Sequence, residues 1–344
     1  MGVRNMKSPW RNKRAWLLVV MAGTLSFQVQ AQSADTSDVS ATGYECTQAP
    51  QVTPSTPGEW LERGLWASHC YTFQARAVAI DAVGVRTLAM SHRIQDGVRQ
   101  QVVQYLDGPS VSIERHSPVG WLAWTEESEN GELPSPERWT SHLEQFYTIR
   151  VEEETRVAGR DAIKLVFEPH DEWRFAHEWW LDRDTGLLLK HILNDQNDRV
   201  IETFQITQLQ SPEQYAGNVH AYESGSVQQT PWQSTWLPDG FVAQPVSFTN
   251  DERYQRVYSD GLATVSIFVE SVSSDDKPAL QAGVRQLGVS GVAIEQYVSD
   301  GKRWQIIAIG EVPVDTLQRI VSSIRFEPLA DTAQESGDPD GVAE

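Results

Sequence analysis

The chain is short of cysteine, of positive charge, of long apolar runs and of local catalytic signatures. Only Cys46 and Cys70 occur in 344 residues, and they form no CxxC pair, so a dithiol redox site is absent. In an oxidising compartment a disulfide is the default for two cysteines, with two unpaired thiols as the alternative. Closing that loop of about 25 residues would contribute on the order of 3 kcal/mol. Lys and Arg number 28 against 47 Asp and Glu, a net charge of −19. Such a surface repels phosphate backbones and anionic membrane faces, which argues against a nucleic-acid partner. Beyond the first 31 residues, no apolar run approaches the roughly 18–20 residues of a membrane helix. No G-x-S-x-G, P-loop or dinucleotide fingerprint is present, although a triad assembled in space would leave no such trace.

What is present begins with an export signal. Arg4, Lys7, Arg11, Lys13 and Arg14 precede the apolar core AWLLVVMAGTL, and Val29-Gln30-Ala31 suits a signal peptidase. Residues 1–31 read as a cleaved signal peptide, with an uncleaved anchor as the alternative. The five basic residues lie before Gln32 and no acidic residue does, so cleavage moves the net charge from −19 to −24.

Residues 32–58 are rich in Ser, Thr, Asp, Gln and Pro and read as a disordered leader. A first folded region is expected over 59–210. It starts with a short helix carrying Trp60, Leu61, Leu65 and Trp66, continues in strands, and has a second helix around Trp139. The run RDAIKLVFEP, RFAHEWWLDR, GLLLKHILND and RVIETFQITQL reads as a four-strand meander with Asp-, Asn- and Gly-rich turns. Residues 211–234 read as a linker, 235–328 as a second region and 329–344 as an acidic disordered tail. In the second region, Ala263, Val265, Ile267 and Val269 alternate with Leu262, Thr264, Ser266 and Phe268 after an Asp-Gly turn. Pro313, Leu317, Ile320, Val321 and Ile324 point to a closing helix. The expected class is α+β: one large curved antiparallel sheet with helices, then a smaller α+β domain.

Asp184-Thr185-Gly186 matches the aspartic-protease tripeptide, but no second copy supplies the partner carboxylate, and Asp and Gly suit a hairpin turn there. It is the one nameable handle for a hydrolase. His170, Asp171, Glu172, His177 and Glu178 are the densest group of metal-ligand types, yet they lack the H-E-x-x-H spacing of a zinc helix. No metal, cofactor or catalytic residue is expected. The chain is rich in tryptophan, with 13. Trp179 and Trp180 are adjacent on an expected strand, so they face opposite ways. With Phe204, they are the candidates for lining an apolar hollow on a curved sheet, the alternative being plain core packing.

WLPDGF (Trp236–Phe241), VYSDGLATVSIFVE (Val257–Glu270) and IAIGEVPVDTLQRIVSSIRF (Ile307–Phe326) together resemble the C-terminal domain of the MucB/RseB family of periplasmic sigma-E regulators. YLDGPSVSIERH, TRVAGRDAIKLVF and WWLDRDTGLLLKHILNDQNDRVIETFQIT resemble that family's N-terminal domain, which is similar to periplasmic lipoprotein carriers. The resemblance covers about Trp60 to Phe326 and implies a half-barrel first domain and a periplasmic, non-catalytic regulator. It implies binding to the periplasmic part of a transmembrane anti-sigma factor, protection of that factor from regulated proteolysis, and release by a lipid-like signal such as lipopolysaccharide. Tyr258 and Phe268 are then candidates for the partner surface. A homo-oligomer is left open. A periplasmic lipid or lipoprotein carrier or sensor without an anti-sigma partner is the alternative.

Overall fold

The computed structural model describes residues 43–115, 124, 134–220, 227, 229–245, 254–272, 280–299 and 301–326. The expected signal peptide and acidic tail lie outside them.

Strand β1 (Gly43–Glu45) leads through one 3-10 turn to helix α1 (Pro57–Cys70). A capping box starts α1: Glu59 N–H donates to Thr56 Oγ1, and the Glu59 carboxylate accepts from Thr56 N–H, both at 3.2 Å. Pro57 sits in the first turn, where its missing donor costs nothing. Four strands follow: β2 (Tyr71–Asp81), β3 (Gly84–Gln95), β4 (Val98–Tyr105) and β5 (Ser112–Arg115). Helix α2 (Pro136–Leu143) starts at a Ser135 cap, and the meander then runs β6 (Tyr147–Val157), β7 (Arg160–Pro169), β8 (Ala176–Asp182), β9 (Leu188–Asn194) and β10 (Val200–Gln214). All nine strands from β2 to β10 form one open antiparallel sheet, ordered β5-β4-β3-β2-β10-β9-β8-β7-β6. Trp60, Leu61 and Leu65 of α1 and Trp139 and Leu143 of α2 pack with Leu165, Phe167 and Trp179, so both helices cover one face of the sheet.

After β11 (Asn218–His220) and β12 (Trp232–Ser234), the second domain is a six-stranded antiparallel sheet. It contains β13 (Val242–Gln244), β14 (Tyr254–Ser259), β15 (Thr264–Val272), β16 (Gly283–Leu287), β17 (Ser290–Ser299) and β18 (Lys302–Gly310). Helix α3 (Val314–Ser323) lays Leu317, Ile320 and Val321 on the face that carries Val265, Ile267 and Val269. Strand β19 (Ile324–Phe326) then pairs with β12. The α+β class and the two domains expected from the sequence are both present.

The stretches read as a disordered leader and as a linker both carry short strands. In the leader, β1 pairs with β11, Cys46 N–H donates to Gly217 O at 3.1 Å, and Cys46 is bonded to Cys70 (S–S 1.97 Å). In the linker, β10 runs on to Gln214, and β11 and β12 pair with β1 and β19. Strands of three residues carry no periodicity, and their partners lie far away in the chain, so composition alone misreads them.

Candidate functional site

The first site is the helix-covered face of the large sheet. Cross-strand partners share a face, and the register places Leu165, Trp179, His191, Phe204 and Ala79 in one row. Trp179 is buried, 6.4 Å from the Trp139 ring and 5.0 Å from Phe167. His191 stacks on His177 at 5.3 Å, with a 3.1 Å contact between their ring nitrogens. Both imidazoles are neutral: burial holds His191 at about 4, and burial, then the proximity of His191, holds His177 well below the ordinary value. Phe204 is half-buried against a cluster that includes Ala75, Ala77, Ala79, Leu88 and Ile206.

Trp180 takes the opposite face. Lys164 and Lys190 are its cross-strand partners, and their ammonium groups lie 5.3 and 4.4 Å from its ring centroid. Lys164 is also held by Glu152 at 2.8 Å and Glu178 at 2.9 Å. The three hollow candidates therefore divide: Trp179 packs under the helices, whereas Trp180 and Phe204 belong to a second apolar cluster that includes Ala77, Ala79 and Ile206.

The partner candidates divide too. Tyr258 is 5% exposed and belongs to the core of the second domain. Phe268 is half-buried on the face of β15 turned away from α3, between Gln255 and Ile307.

Asp184-Thr185-Gly186 forms a hairpin turn. Gly186 has φ +81° and donates to Asp182 O, and Thr185 N–H and Oγ1 both donate to Asp182 Oδ1 at 2.9 Å. The Asp184 side chain is 87% exposed beside Arg160. His170 is held by Thr148 and by Gln145 O, each at 3.0 Å. Among the described residues no group of three or more His, Cys, Asp and Glu assembles for a metal.

The second site is the joint between the domains; sequence reasoning marked its Asp260-Gly261 turn only as a turn before a strand and gave no role to Tyr147 or Arg174. The turn from Ser259 to Leu262 enters the first domain. Asp260 is completely buried; its Oδ1 accepts from Leu262 N–H at 2.9 Å and Ala263 N–H at 2.8 Å, and its Oδ2 accepts from Tyr147 Oη at 2.9 Å. Arg174, with no exposed side-chain surface, lies 3.4 Å from Asp260 Oδ2 and 3.3 Å from Asp171, and it also donates to Asp239 O. The guanidinium sits over the rings of Phe146 at 4.9 Å and Phe241 at 5.4 Å. Burial, then the Asp260 charge, pushes the Tyr147 phenol well above its ordinary range. Trp139 Nε1 donates to Gly261 O at 3.2 Å. Nearby, Arg319 of α3 lies over Trp173 at 4.8 Å and Trp236 at 4.0 Å. The motifs WLPDGF and VYSDGL thus supply much of the joint. A cleft of about 460 Å³ runs beside it, with Phe175, Asp195 and Arg199 on one wall and Gln286, Pro313 and Asp315 on the other.

An open sheet with one helix-covered apolar face, locked to a small α+β domain through a buried ion pair, defines a two-domain binding protein. Residues 56–234 match the MucB/RseB N-terminal domain and residues 226–325 the MucB/RseB C-terminal domain. The chain belongs to the MucB/RseB family. It is 30% identical over 317 residues to the sigma factor AlgU regulatory protein MucB of Pseudomonas aeruginosa, covering 82% of this chain and 94% of that one. To the Escherichia coli sigma-E factor regulatory protein RseB it is 25% identical over 306 residues, 80% of this chain and 92% of that one. A solved structure of the Pseudomonas aeruginosa MucA/MucB complex superposes with a TM-score of 0.61 at 30% identity, covering 79% of this chain and 99% of that one.

Proposed function

We propose that this protein is a periplasmic negative regulator of the envelope-stress (sigma-E) response. It binds the periplasmic region of a transmembrane anti-sigma factor, shields it from regulated proteolysis, and lets go when a lipid-like molecule is bound. The observation that carries this reading is the match to both MucB/RseB domains, together with a relative solved in complex with MucA. The geometry supports it: the sheet carries one apolar cluster under the helices around Trp179 and a second around Trp180 and Phe204, and the second domain is held to that sheet by the Asp260 joint. Phe268 offers the partner a half-buried ring on the face turned away from α3, while Tyr258 supports the sheet from inside.

The test is titration of the purified chain with the periplasmic fragment of the cognate anti-sigma factor, followed by timed digestion of that fragment by its initiating protease. Micromolar or tighter binding and slower cleavage are expected. Lipid should reverse both. Lipid binding without fragment binding would favour a carrier or sensor with no anti-sigma partner.

A further inference from the structure

Among the described residues, a cation in the first domain is buried without a counter-charge. Arg99 on β4 is 7% exposed. Among the described residues it has no carboxylate in ion-pair distance and no hydrogen-bond acceptor. Its neighbours are Tyr44, whose hydroxyl donates to Pro134 O at 3.0 Å, and the buried imidazoles His69 and His92. Burial holds both imidazoles neutral, and His92 Nδ1 is engaged with Tyr71 O at 2.6 Å. Burial draws the guanidinium down to about 10, so it keeps its charge at neutral pH. An ion removed from water without a partner costs several kcal/mol. The partial negative charge at the end of α1, where His69 lies, offsets part of that.

The register shows what lies along the same face. Arg99 stands opposite Ile94. The next rows are Phe73, His92 and Gln101; then Ala75, Met90 and Val103; then Ala77, Leu88 and Tyr105. Phe73, Met90, Val103 and Tyr105 are incompletely buried. From Arg99 to Tyr105 the track measures about 20 Å at roughly 3.3 Å per residue. Half the hydrocarbon thickness of a bilayer is about 15 Å. One fixed cation at the end of an apolar track of that length is the complement of an anionic amphiphile.

We propose that Arg99 receives the anionic head group of an acyl-chain amphiphile, whose chain lies along Phe73, Met90, Val103 and Tyr105. The guanidinium offers two parallel donors to a phosphate or a carboxylate. The proposal rests on the lipid part of the function proposed above and names the residue that selects the lipid's charge.

The experiment titrates the full chain and its Arg99→Gln and Arg99→Lys variants with dodecyl phosphate, dodecanoate and uncharged dodecyl maltoside, each below micelle formation. The wild type should bind at least one anionic probe tenfold or more tighter than the maltoside. Arg99→Gln should lose that preference and keep the maltoside affinity, while Arg99→Lys keeps part of the preference. Tighter phosphate binding identifies a phosphorylated head group, and tighter dodecanoate binding identifies a fatty acid. Equal binding of all three probes, or an undiminished preference in Arg99→Gln, overturns the role of Arg99 and leaves the lipid reading standing. Failure of every probe overturns both. A second readout is independent of ligand: Arg99→Met should unfold at the same or higher urea concentration, and a clear fall would make Arg99 a structural residue and end the proposal.

Discussion

Tyr147 and Asp260 stand 113 residues apart and meet through one hydrogen bond of 2.9 Å, from the phenol of the first domain to the carboxylate of the second. Arg174 faces the same carboxylate oxygen. Removing one member of a buried charged pair strands the other away from water. Asp260→Ala should therefore destabilise the protein by about 3–5 kcal/mol, whereas Tyr147→Phe, which removes a hydrogen bond to a charged group, should cost about 1.5–3 kcal/mol. Urea titration followed by tryptophan fluorescence checks both. Equal, small effects would mean that the joint is not a locked ion pair.

Two glycines of the joint have no room for a methyl group. Gly240 has φ +84°, and a Cβ there would lie 2.4 Å from the Phe146 ring. Gly261 has φ +99°, and a Cβ would lie 3.1 Å from both Trp139 and Leu143. Strain and contact together should make Gly240→Ala cost on the order of 1–3 kcal/mol, more than Gly261→Ala. Comparison of the urea midpoints of the two variants measures this. Tolerance of Gly240→Ala would show that the domains part easily.

Glu202 titrates at about 7, raised first by burial and then by the charge of Glu311, with Asp81 adding and Arg86 opposing. Glu311 is itself raised by burial. A carboxyl whose folded value is raised is protonated in the folded chain while the unfolded one has ionised. Its protonated form favours the folded state, and that advantage declines as pH rises from about 4.5 to about 7. Because Glu202 keeps part of its surface in water, the loss is on the order of 1–2 kcal/mol. Glu202→Gln should match the wild-type melting temperature near pH 5 and exceed it at pH 8. Identical profiles would contradict the burial of this carboxyl.

Imidazoles work in the other direction. His92 and His191 are held at about 4 by burial, so they stay neutral in the folded chain while the unfolded one takes up protons below about 6.5. The stability present above pH 6.5 should fall away as pH drops toward 4. His191→Phe should shift the acid unfolding midpoint to lower pH, as read by circular dichroism. An unshifted midpoint would assign acid lability to other groups.

Cys46 and Cys70 are 24 residues apart and tie β1 to the end of α1. Reduction should lower stability by about 3 kcal/mol on the chain-entropy account. The double Ser variant should reproduce that loss and be insensitive to reductant. A variant as stable as the oxidised protein would mean that pairing of β1 with β11 alone holds the segment.

The four-strand meander was legible because each strand is long and each turn carries Asp, Asn or Gly, so pattern and turn chemistry agree. The short pairs β1–β11 and β12–β19 were not, since three residues cannot display a period and their partners are distant. Trp179 and Trp180 illustrate the same limit at the site. Their adjacency was enough to send them to opposite faces, but the face that the helices cover depends on where α1 and α2 dock.

By itself, the sequence determined the α+β class, the two families of strands, the Asp-Gly turns and the opposition of the paired tryptophans. These follow from local periodicity and backbone preference, which act over a few residues. The tertiary structure alone decided that the turn at Asp260 is buried in the other domain, that Arg174 is its counter-charge, and that Arg99 has none among the described residues. Charge pairing depends on which side chains share a low-dielectric interior, and residues that lie 86 positions apart, as Arg174 and Asp260 do, become neighbours only when the chain has folded.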